Sequence, residues 1–352
     1  MSINVRGYAA LSPKGALGLF HFIRRELRPD DLLIEILYCG ICHSDLHNVN
    51  NESGYSKYPM VPGHEIVGRV TRIGQNVKKF AIGDQVGIGC LVDSCRTCPS
   101  CLRGHEQSCL NFVTYAYGSK DKQDGLVTQG GYSESIVVRE DFALKIPKSL
   151  DLIGAAPLLC AGITTWAPLR RENISKGCKV AIVGLGGLGH IAIKLAKSLG
   201  AEVTLITRSL DKADEAKALG ADFVIASGDN NQMSANKAKF QLILDTVPYS
   251  HDLNPLVSSL TANGKLVLLG YFGPIEPSLN TNQLIFGQRS IEGSLIGGIR
   301  ETQEMLDFCG EHQITAETEL IKIQDVNKAY RRMFKSDVKY RFVIDLKTIE
   351  SE

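Results

Sequence analysis

The chain has 352 residues, of which 39 are Lys or Arg and 38 are Asp or Glu, so its formal net charge is +1. At about 150 residues per domain this length predicts about two domains, and the near-neutral charge argues against a nucleic-acid-binding protein. A hydrophobic content of 44% with 22% charged residues excludes a largely disordered chain.

Nothing in the first residues resembles a targeting signal, because no long apolar core is followed by a small-residue cleavage site. The most apolar stretch, 180–196, is interrupted by glycines, His190 and Lys194, which argues against a membrane span. We therefore expect a cytoplasmic protein with no membrane partner. In that reducing compartment the 10 cysteines are expected as thiols or metal thiolates.

Up to about residue 150 the chain alternates short apolar runs with glycines, which predicts a β-rich domain with strands at 32–38 and 67–73. After Pro157, apolar strands alternate with helical patterns, which predicts a parallel sheet with helices on both faces. The strands predicted in this part are 180–183, 202–207, 222–226, 241–245 and 265–269, and the helices are 191–199 and 211–219. The tail predicts a strand at 290–296, helices at 302–309 and 325–333, and a strand at 341–346.

A glycine-rich segment, Gly184-Leu185-Gly186-Gly187-Leu188-Gly189, fits G-x-G-x-x-G and lies between a predicted strand and a predicted helix. In that context the first glycine permits a tight turn, the second lets the backbone approach a pyrophosphate, and the third packs the helix on the strand. The helix N-terminus then faces the anion. The alternative is a flexible turn in an α/β domain that binds no nucleotide.

The end of the next strand indicates which dinucleotide is bound. Sites for NAD carry Asp or Glu there, whereas this chain has Thr207, Arg208 and Ser209, followed by Lys212. Positive charge and hydroxyl donors suit a 2′-phosphate, so the segment predicts NADP(H). The alternative is that Arg208 is an ordinary solvated side chain at a strand end.

Four cysteines in one loop, Cys95, Cys98, Cys101 and Cys109, predict a closed tetrahedral zinc site. Such a site is structural and would hold a polar loop that has too few apolar residues to fold alone. The alternatives are an iron–sulfur cluster or unrelated thiols. A nucleic-acid-binding zinc module is disfavoured by the near-neutral charge.

Cys42, His64 and Cys160 are a second potential ligand set, spread along the chain. Two cysteines and one histidine are the ligands of a catalytic zinc that keeps its fourth position open. Spacing alone, however, favours the interpretation of each as an ordinary core residue.

A resemblance to a known family changes that balance. Gly63-His64-Glu65, with Gly68, Gly74 and Val77 at their spacing, resembles the signature of the zinc-containing alcohol dehydrogenases of the medium-chain dehydrogenase/reductase superfamily. Segments 42–47, 58–65, 158–164 and 293–297 resemble the cinnamyl alcohol dehydrogenase group within it. The resemblance implies an α/β chain with a GroES-like catalytic domain (1–153 and 294–352) and a Rossmann NADP-binding domain (154–293). The active cleft would lie between them.

The resemblance also implies roles for individual residues. Cys42, His64 and Cys160 would bind a catalytic zinc with Glu65 nearby, and the four-cysteine loop would bind a structural zinc, giving two zinc ions per chain. Ser44 and His47 would pass a proton to solvent through a cofactor ribose hydroxyl, and Asp45 would fix the ligating histidine. A helix cap, a surface residue and an exposed carboxylate are the alternatives for Ser44, His47 and Asp45. Further cofactor contacts would come from Thr164, Thr246, Gly270, Ser294, Leu295 and Ile296.

The resulting prediction is an oxidoreductase that interconverts primary alcohols and aldehydes, aromatic or medium-chain, and that forms a homodimer, with a tetramer as the alternative. The alternatives are a polyol dehydrogenase, which usually carries an acidic residue at the position of Thr207 or Arg208, and a non-catalytic cofactor-binding relative on the same scaffold. The substrate stays open, with an apolar pocket expected from among Phe112, Tyr115, Tyr117 and Leu295. The remaining cysteines, Cys39, Cys90, Cys178 and Cys309, are expected to be buried thiols.

Overall fold

A computed structural model describes residues 3–270 and 273–349. The chain divides into two compact units: Met1–Cys160 with Gly297–Glu352, and Ala161–Ile296. These boundaries lie a few residues after the predicted ones. Residues 152–159 form short helical turns that pack on strands of the first unit, and the N–H of Ser294 still donates to the carbonyl of Leu268 in the second.

The first unit is mostly antiparallel β-structure. Its strands are β1 (Ile3–Ala9), β2 (Gly18–Arg24), β3 (Asp31–Gly40), β4 (Ile66–Ile73), β5 (Gln85–Ile88), β6 (Leu91–Ser94), β7 (Val113–Tyr115), β8 (Ser135–Arg139) and β9 (Leu144–Lys145), with two from the tail, β16 (Thr318–Lys322) and β17 (Arg341–Asp345). Its helices are α1 (His43–Val49), α2 (Pro99–Leu102), α3 (Leu152–Ala155), α10 (Ile299–His312) and α11 (Val326–Phe334). The largest sheet has the order β16-β17-β3-β4-β5-β9, with β8 also paired to β3.

The second unit is an α/β domain with strands β10 (Lys179–Val183), β11 (Glu202–Thr207), β12 (Phe223–Ala226), β13 (Phe240–Asp245), β14 (Leu260–Leu268) and β15 (Ser290–Gly293). Its helices are α4 (Ala161–Arg171), α5 (Gly189–Ser198), α6 (Ala213–Ala218), α7 (Asn230–Ala235), α8 (Asn254–Ser259) and α9 (Asn282–Gly287). All strand pairs are parallel, in the order β12-β11-β10-β13-β14-β15. This is the strand order of a Rossmann sheet, and it confirms the predicted fold class.

Two predicted elements of this unit are shorter than expected. The strand predicted at 290–296 ends at Gly293, the last residue paired with β14. The helix predicted at 211–219 begins as a 3₁₀ turn, Leu210–Lys212, because the Ser209 hydroxyl accepts the N–H of Asp211, and it becomes α-helical only at Ala213.

Within residues 3–270 and 273–349, no single helix is long and apolar enough to span a membrane. One bent pair, Leu152–Leu159 with Ala161–Arg171, has sufficient length and apolar character only when the two segments are taken together.

Candidate active site

The first unit brings Cys42, His64, Glu65 and Cys160 together. One ligand atom from each lies within 4.8 Å of all the others. The Sγ atoms of Cys42 and Cys160 are 3.9 Å apart. Zn–S bonds of ~2.3 Å in a tetrahedral site require sulfurs about 3.8 Å apart, so this spacing fits one zinc ion and not a disulfide.

Asp45 connects two members of this cluster. Its Oδ1 accepts from Nδ1 of His64 and from the N–H of Gly63, both at 3.0 Å. Its Oδ2 accepts the N–H of Cys42 at 2.9 Å and the hydroxyl of Tyr132 at 3.2 Å. Asp45 is fully buried, so it is not an exposed residue at the start of α1. A histidine whose Nδ1–H is bound to a carboxylate has Nε2 free for a metal.

Glu65 is also fully buried, and its Oε1 is paired with Arg341 from β17. Among the described residues its other oxygen, Oε2, has no hydrogen-bond partner, and one of the two carboxylate oxygens lies within the ligand cluster. An orphaned buried carboxylate oxygen costs free energy unless a cation or a donor meets it. Gly40 leaves room for this oxygen, because a Cβ there would collide with it.

The groups around the cluster shift the pKa values of Cys42 and His64 in opposite directions. A hydrogen bond from the Cys160 thiol, together with the nearby charge of Arg341, holds the pKa of Cys42 well below its ordinary value. Burial acts to lower the pKa of His64, but the Asp45 carboxylate outweighs it and raises that pKa well above the ordinary value. Burial raises the pKa of the Tyr117 and Tyr132 hydroxyls, so both remain neutral donors.

The predicted proton-relay residues both lie on α1. The Ser44 hydroxyl donates to Sγ of Cys42 at 3.1 Å and lies 3.4 Å from Nε2 of His64, so it faces the ligand cluster. His47, one turn later, has a side chain that is 40% exposed. Its Nδ1 is 2.5 Å from Oε2 of Glu52, a partner that was not predicted from the sequence.

Among the residues expected to line a substrate pocket, Tyr117 is buried, with its ring centroid 5.9 Å from that of His64. Tyr115 is exposed. Cys39 and Cys309 are buried as predicted, but the prediction is wrong for Cys90 and Cys178, which are half-buried.

Cys90 also has a neighbour among the proposed ligands. It lies two residues beyond β5, beside Cys160, and a hydrogen bond to that thiol lowers the pKa of Cys90.

The four-cysteine loop forms a second compact cluster, with all ligand atoms within 4.8 Å of one another. The Sγ atom of Cys98 lies 3.6 Å from that of Cys101 and 3.9 Å from that of Cys109. Backbone N–H groups donate to the sulfurs, first among them that of Thr97, and they hold the pKa of Cys95 at about 5. Thiolates with such donors are typical metal ligands.

In the second unit, the glycine-rich turn has the backbone that a dinucleotide requires. Gly184 adopts φ +91°, Gly186 has open space where a side chain would stand, and a Cβ on Gly189 would collide with the carbonyl of Gly184. These are the three separate reasons for glycine in this fingerprint. The turn leads from β10 into α5, and the N-terminus of a helix is favourable for an anion such as a pyrophosphate.

Residues 207–212 lie at the carboxyl end of β11, next to this turn in the sheet. Thr207 is half-buried and Arg208 is exposed. The Arg208 guanidinium lies over the ring of Tyr249, 5.5 Å from its centroid. The Ser209 hydroxyl already accepts one backbone N–H, and it keeps its own proton to donate.

The remaining predicted cofactor residues of the second unit differ in their hydrogen bonds, burial and backbone conformation. Thr246 donates its hydroxyl to the carbonyl of Val183 at 2.8 Å, and it thus ties the end of β13 to the end of β10. The N–H of Gly270 donates to the backbone carbonyl of Asp245 at 3.3 Å. Thr164 is buried and Leu295 is exposed. Ile296 adopts φ +39°, a strained conformation for a β-branched residue.

Comparison with known proteins agrees with this architecture. Residues 28–148 match the family model of the alcohol dehydrogenase GroES-like domain, and residues 187–311 match that of the zinc-binding dehydrogenases. The chain belongs to the zinc-binding alcohol dehydrogenase family. It is an oxidoreductase of the cinnamyl alcohol dehydrogenase group, built from a GroES-like domain and a Rossmann domain, and it acts on alcohols and aldehydes.

Individual relatives cover almost the whole chain. A mannitol dehydrogenase of Petroselinum crispum is 50% identical over 96% of this chain and 100% of its own length. The structure of a cinnamyl alcohol dehydrogenase from Sorghum bicolor matches with a TM-score of 0.95 and 43% identity over 99% of both chains. A cinnamyl alcohol dehydrogenase from Helicobacter pylori, solved with NADP(H), matches with a TM-score of 0.91 and 40% identity over 99% of both chains.

Proposed function

We propose that this dehydrogenase interconverts primary alcohols and aldehydes, aromatic or medium-chain, by hydride transfer with NADP(H). The observation that carries the proposal is the buried cluster of Cys42, His64, Glu65 and Cys160. We assign a catalytic zinc to Cys42, His64 and Cys160, with Glu65 beside it, and a structural zinc to Cys95, Cys98, Cys101 and Cys109. In the structural set all four positions are thiolates, so no ligand position is left for a substrate.

When bound, the catalytic zinc polarises the substrate oxygen and the nicotinamide exchanges a hydride with the substrate carbon. The protein's part is to fix the ligands. Asp45 holds the Nδ1 proton of His64, which leaves Nε2 as the ligand atom. Arg341 holds Oε1 of Glu65 and neutralises its charge, while Oε2 has no hydrogen-bond partner among the described residues and is left for a cation.

The reaction also has to move one proton between the substrate oxygen and water. Ser44 is the hydroxyl nearest to the ligands on α1, and it can hand on its proton as it receives another. His47 is exposed on the same helix, so its imidazole is within reach of solvent water and can serve as a general acid or base there. Glu52 lies against Nδ1 of His47 and holds the ring in place. We therefore assign the solvent end of the relay to His47 and a positioning role to Glu52.

For the cofactor, the turn Gly184-Leu185-Gly186-Gly187-Leu188-Gly189 would bind the pyrophosphate through its N–H groups. Thr207, Arg208, Ser209 and Lys212 would bind the 2′-phosphate through two cationic side chains and two hydroxyl donors, and no acidic residue stands at the end of β11. The strained backbone at Ile296 and the close approach of Gly270 to the Thr246 carbonyl support contacts from the 246, 270 and 294–296 segments to the nicotinamide half. Thr164 would add a further contact.

A polyol is the second candidate substrate, because the relative from Petroselinum crispum is a mannitol dehydrogenase at 50% identity. The absence of an acidic residue at Thr207 and Arg208 therefore does not exclude polyol oxidation. Mannitol with NADP⁺ distinguishes the two candidates.

We further propose a cytoplasmic homodimer. Within the described chain β15 pairs only with β14, so one edge of the parallel sheet is open. Ile285 and Phe286 of the preceding helix are among the most exposed large apolar side chains. An open strand edge and exposed apolar side chains favour pairing with a second copy. The molar mass measured by light scattering should then be twice that of one chain, which is 38.4 kDa.

The first test follows the absorbance of NADPH in the presence of the purified zinc-loaded protein, as it is consumed by aldehydes or formed from NADP⁺ by an alcohol. NADH and NAD⁺ are tested in parallel. Cinnamaldehyde, benzaldehyde and a short aliphatic aldehyde are offered in one direction and mannitol in the other. We expect aldehyde reduction with NADPH and about two zinc ions per chain by elemental analysis. Equal rates with NADH would overturn the cofactor assignment alone. No turnover with any substrate in a fully zinc-loaded protein would favour the non-catalytic relative.

A further inference from the structure

The Rossmann unit contains an arginine–tyrosine contact that the proposed cofactor chemistry does not yet explain. The Arg208 guanidinium carbon lies 5.5 Å from the centroid of the Tyr249 ring. This is within the ~6 Å over which a cation is attracted to an aromatic face. Arg208 directly follows β11, and Tyr249 lies four residues after β13. Both residues are substantially exposed, so burial does not force the two side chains together.

The position of this contact in the sheet is informative. Strand β10 lies between β11 and β13, and neighbouring strands are about 4.8 Å apart, so β11 and β13 are about 10 Å apart. Arg208 and Tyr249 therefore meet across the carboxyl end of β10, where the glycine-rich turn begins at Gly184. In a sheet of this order the dinucleotide binds at this reversal point, with its adenosine end directed to the second strand.

The contact is compatible with phosphate recognition. A guanidinium that is attracted to a ring through its positive charge keeps N–H donors for other partners, and a phosphate accepts two of them at once. Within the described residues no carboxylate forms an ion pair with Arg208, so its positive charge is not already neutralised. A side chain that is held before binding loses less conformational entropy when the ligand arrives.

We propose that Tyr249 is a positioning residue that holds Arg208 ready for the 2′-phosphate, and that it thereby sets part of the preference for NADP(H) over NAD(H). The inference rests on the proposed function in one respect, namely that the cofactor carries a 2′-phosphate. It adds a residue from a different strand to the 207–212 segment. Tyr249 would act only through Arg208, so its contribution should disappear when Arg208 is absent.

The test measures cofactor binding to the zinc-loaded full chain, without turnover. Equilibrium titration with NADPH and NADH, and with 2′,5′-ADP and 5′-ADP as fragments, compares wild type with Tyr249→Leu and Tyr249→Phe. We expect Tyr249→Leu to weaken NADPH and 2′,5′-ADP by about two- to fivefold, the range for one exposed cation–π contact. NADH and 5′-ADP should be unaffected. Tyr249→Phe keeps the aromatic face and should bind as wild type does.

Phe223→Leu is a matched control. The two aromatic side chains are equally accessible, since Phe223 is 47% exposed and Tyr249 is 48% exposed. Phe223 also makes a cation–π contact, in which Nζ of Lys239 lies 4.7 Å from the ring centroid. It lies at the start of β12, at the amino end of the parallel strands, whereas the cofactor turn lies at their carboxyl end, so its replacement should leave all four ligands unaffected. An equal loss of NADPH and NADH in Tyr249→Leu would overturn the proposal, because the ring would then serve a part common to both cofactors.

The variant Arg208→Leu separates this inference from the cofactor assignment. If Arg208→Leu weakens NADPH selectively and Tyr249→Leu weakens it no further in that background, the two residues act as one unit. If Arg208→Leu is selective but Tyr249→Leu has no effect in wild type, the role of Tyr249 is refuted and the NADP(H) assignment stands. If wild type binds NADH as tightly as NADPH and Arg208→Leu changes neither, the cofactor assignment itself fails.

Discussion

Asp45 accepts the Nδ1 proton of His64 at 3.0 Å and, through its other oxygen, the backbone N–H of Cys42 at 2.9 Å. One buried carboxylate thus positions two of the three proposed catalytic zinc ligands, which lie 22 positions apart in the sequence. It also supplies the negative charge that strengthens the imidazole as a ligand.

Asp45→Asn should therefore weaken catalytic zinc binding by about 10- to 100-fold, the range for loss of an outer-shell carboxylate on a metal-bound histidine. Competition with a chromogenic chelator measures this directly, and only one of the two proposed zinc ions should be affected. Asp211→Asn, at an exposed position, is the control. Unchanged zinc retention in Asp45→Asn would show that the contact with His64 does not stabilise the metal site.

Arg341 and Glu65 form an ion pair in which both side chains are almost fully buried. Removing the cation alone leaves a buried carboxylate without compensation, so Arg341→Met should cost about 3–5 kcal/mol in the free energy of unfolding. The double variant Arg341→Met/Glu65→Gln should recover most of this loss. Urea denaturation of the zinc-loaded protein is the measurement, and a double variant as unstable as Arg341→Met would contradict the explanation.

His47 is the proposed exit for the proton, and Glu52 lies 2.5 Å from its Nδ1. His47→Gln should lower kcat at pH 7 by about 100-fold, with little change in KM, because general acid–base transfer contributes at least this factor. Added imidazole should restore part of the rate. Glu52→Gln should have a smaller effect that imidazole does not change. Full activity of His47→Gln without any buffer catalyst would mean that the proton leaves by another route.

The four-cysteine loop should be stable only with its metal. Burial raises the pKa of Cys101 to about 12, so zinc must displace a tightly held proton there, and binding should weaken as the pH falls. Glu106 of the same loop accepts the N–H of Ile299 at the start of α10. Cys101→Ser should therefore remove one zinc and lower the thermal midpoint, whereas Cys178→Ser should retain both. Two zinc ions in Cys101→Ser would contradict the assignment.

Local patterns were sufficient to predict the Rossmann unit. The strand at 202–207 has the predicted bounds, and the glycine-rich turn lies between a strand and a helix as predicted. Both were predictable because the alternation of strands and helices, and the positive φ of a tight turn, depend on only a few consecutive residues. The four-cysteine loop was predictable for the same reason, since its ligands lie within 15 consecutive positions.

Long-range partners were not predictable in this way. Arg341 meets Glu65 across 276 positions, and no local pattern links the two. Tyr249 and Arg208 come together because their strands, β13 and β11, lie on either side of β10 in the sheet. The contact of Glu52 with His47, in contrast, could have been predicted, because the two residues are only five positions apart in the sequence. Cys90 was misjudged because its neighbour Cys160 comes from another part of the chain.

The pair of His251 and Asp245 should make the stability of the Rossmann unit depend on pH. Nε2 of His251 lies 3.2 Å from Oδ2 of the fully buried Asp245, and this carboxylate raises the pKa of His251. A raised pKa in the folded state adds stability that is fully present below the unfolded value of about 6.5 and is lost as the pH rises through the folded value.

His251→Asn should therefore be less stable than wild type at pH 5.5, by about 1 kcal/mol or a few degrees in the thermal midpoint, and the difference should shrink by pH 8.5. Thermal unfolding at the two pH values checks this, with the exposed His21→Asn as control. A destabilisation that is equal at both pH values would mean that His251 contributes by packing, because neutral imidazole packs as well as its charged form.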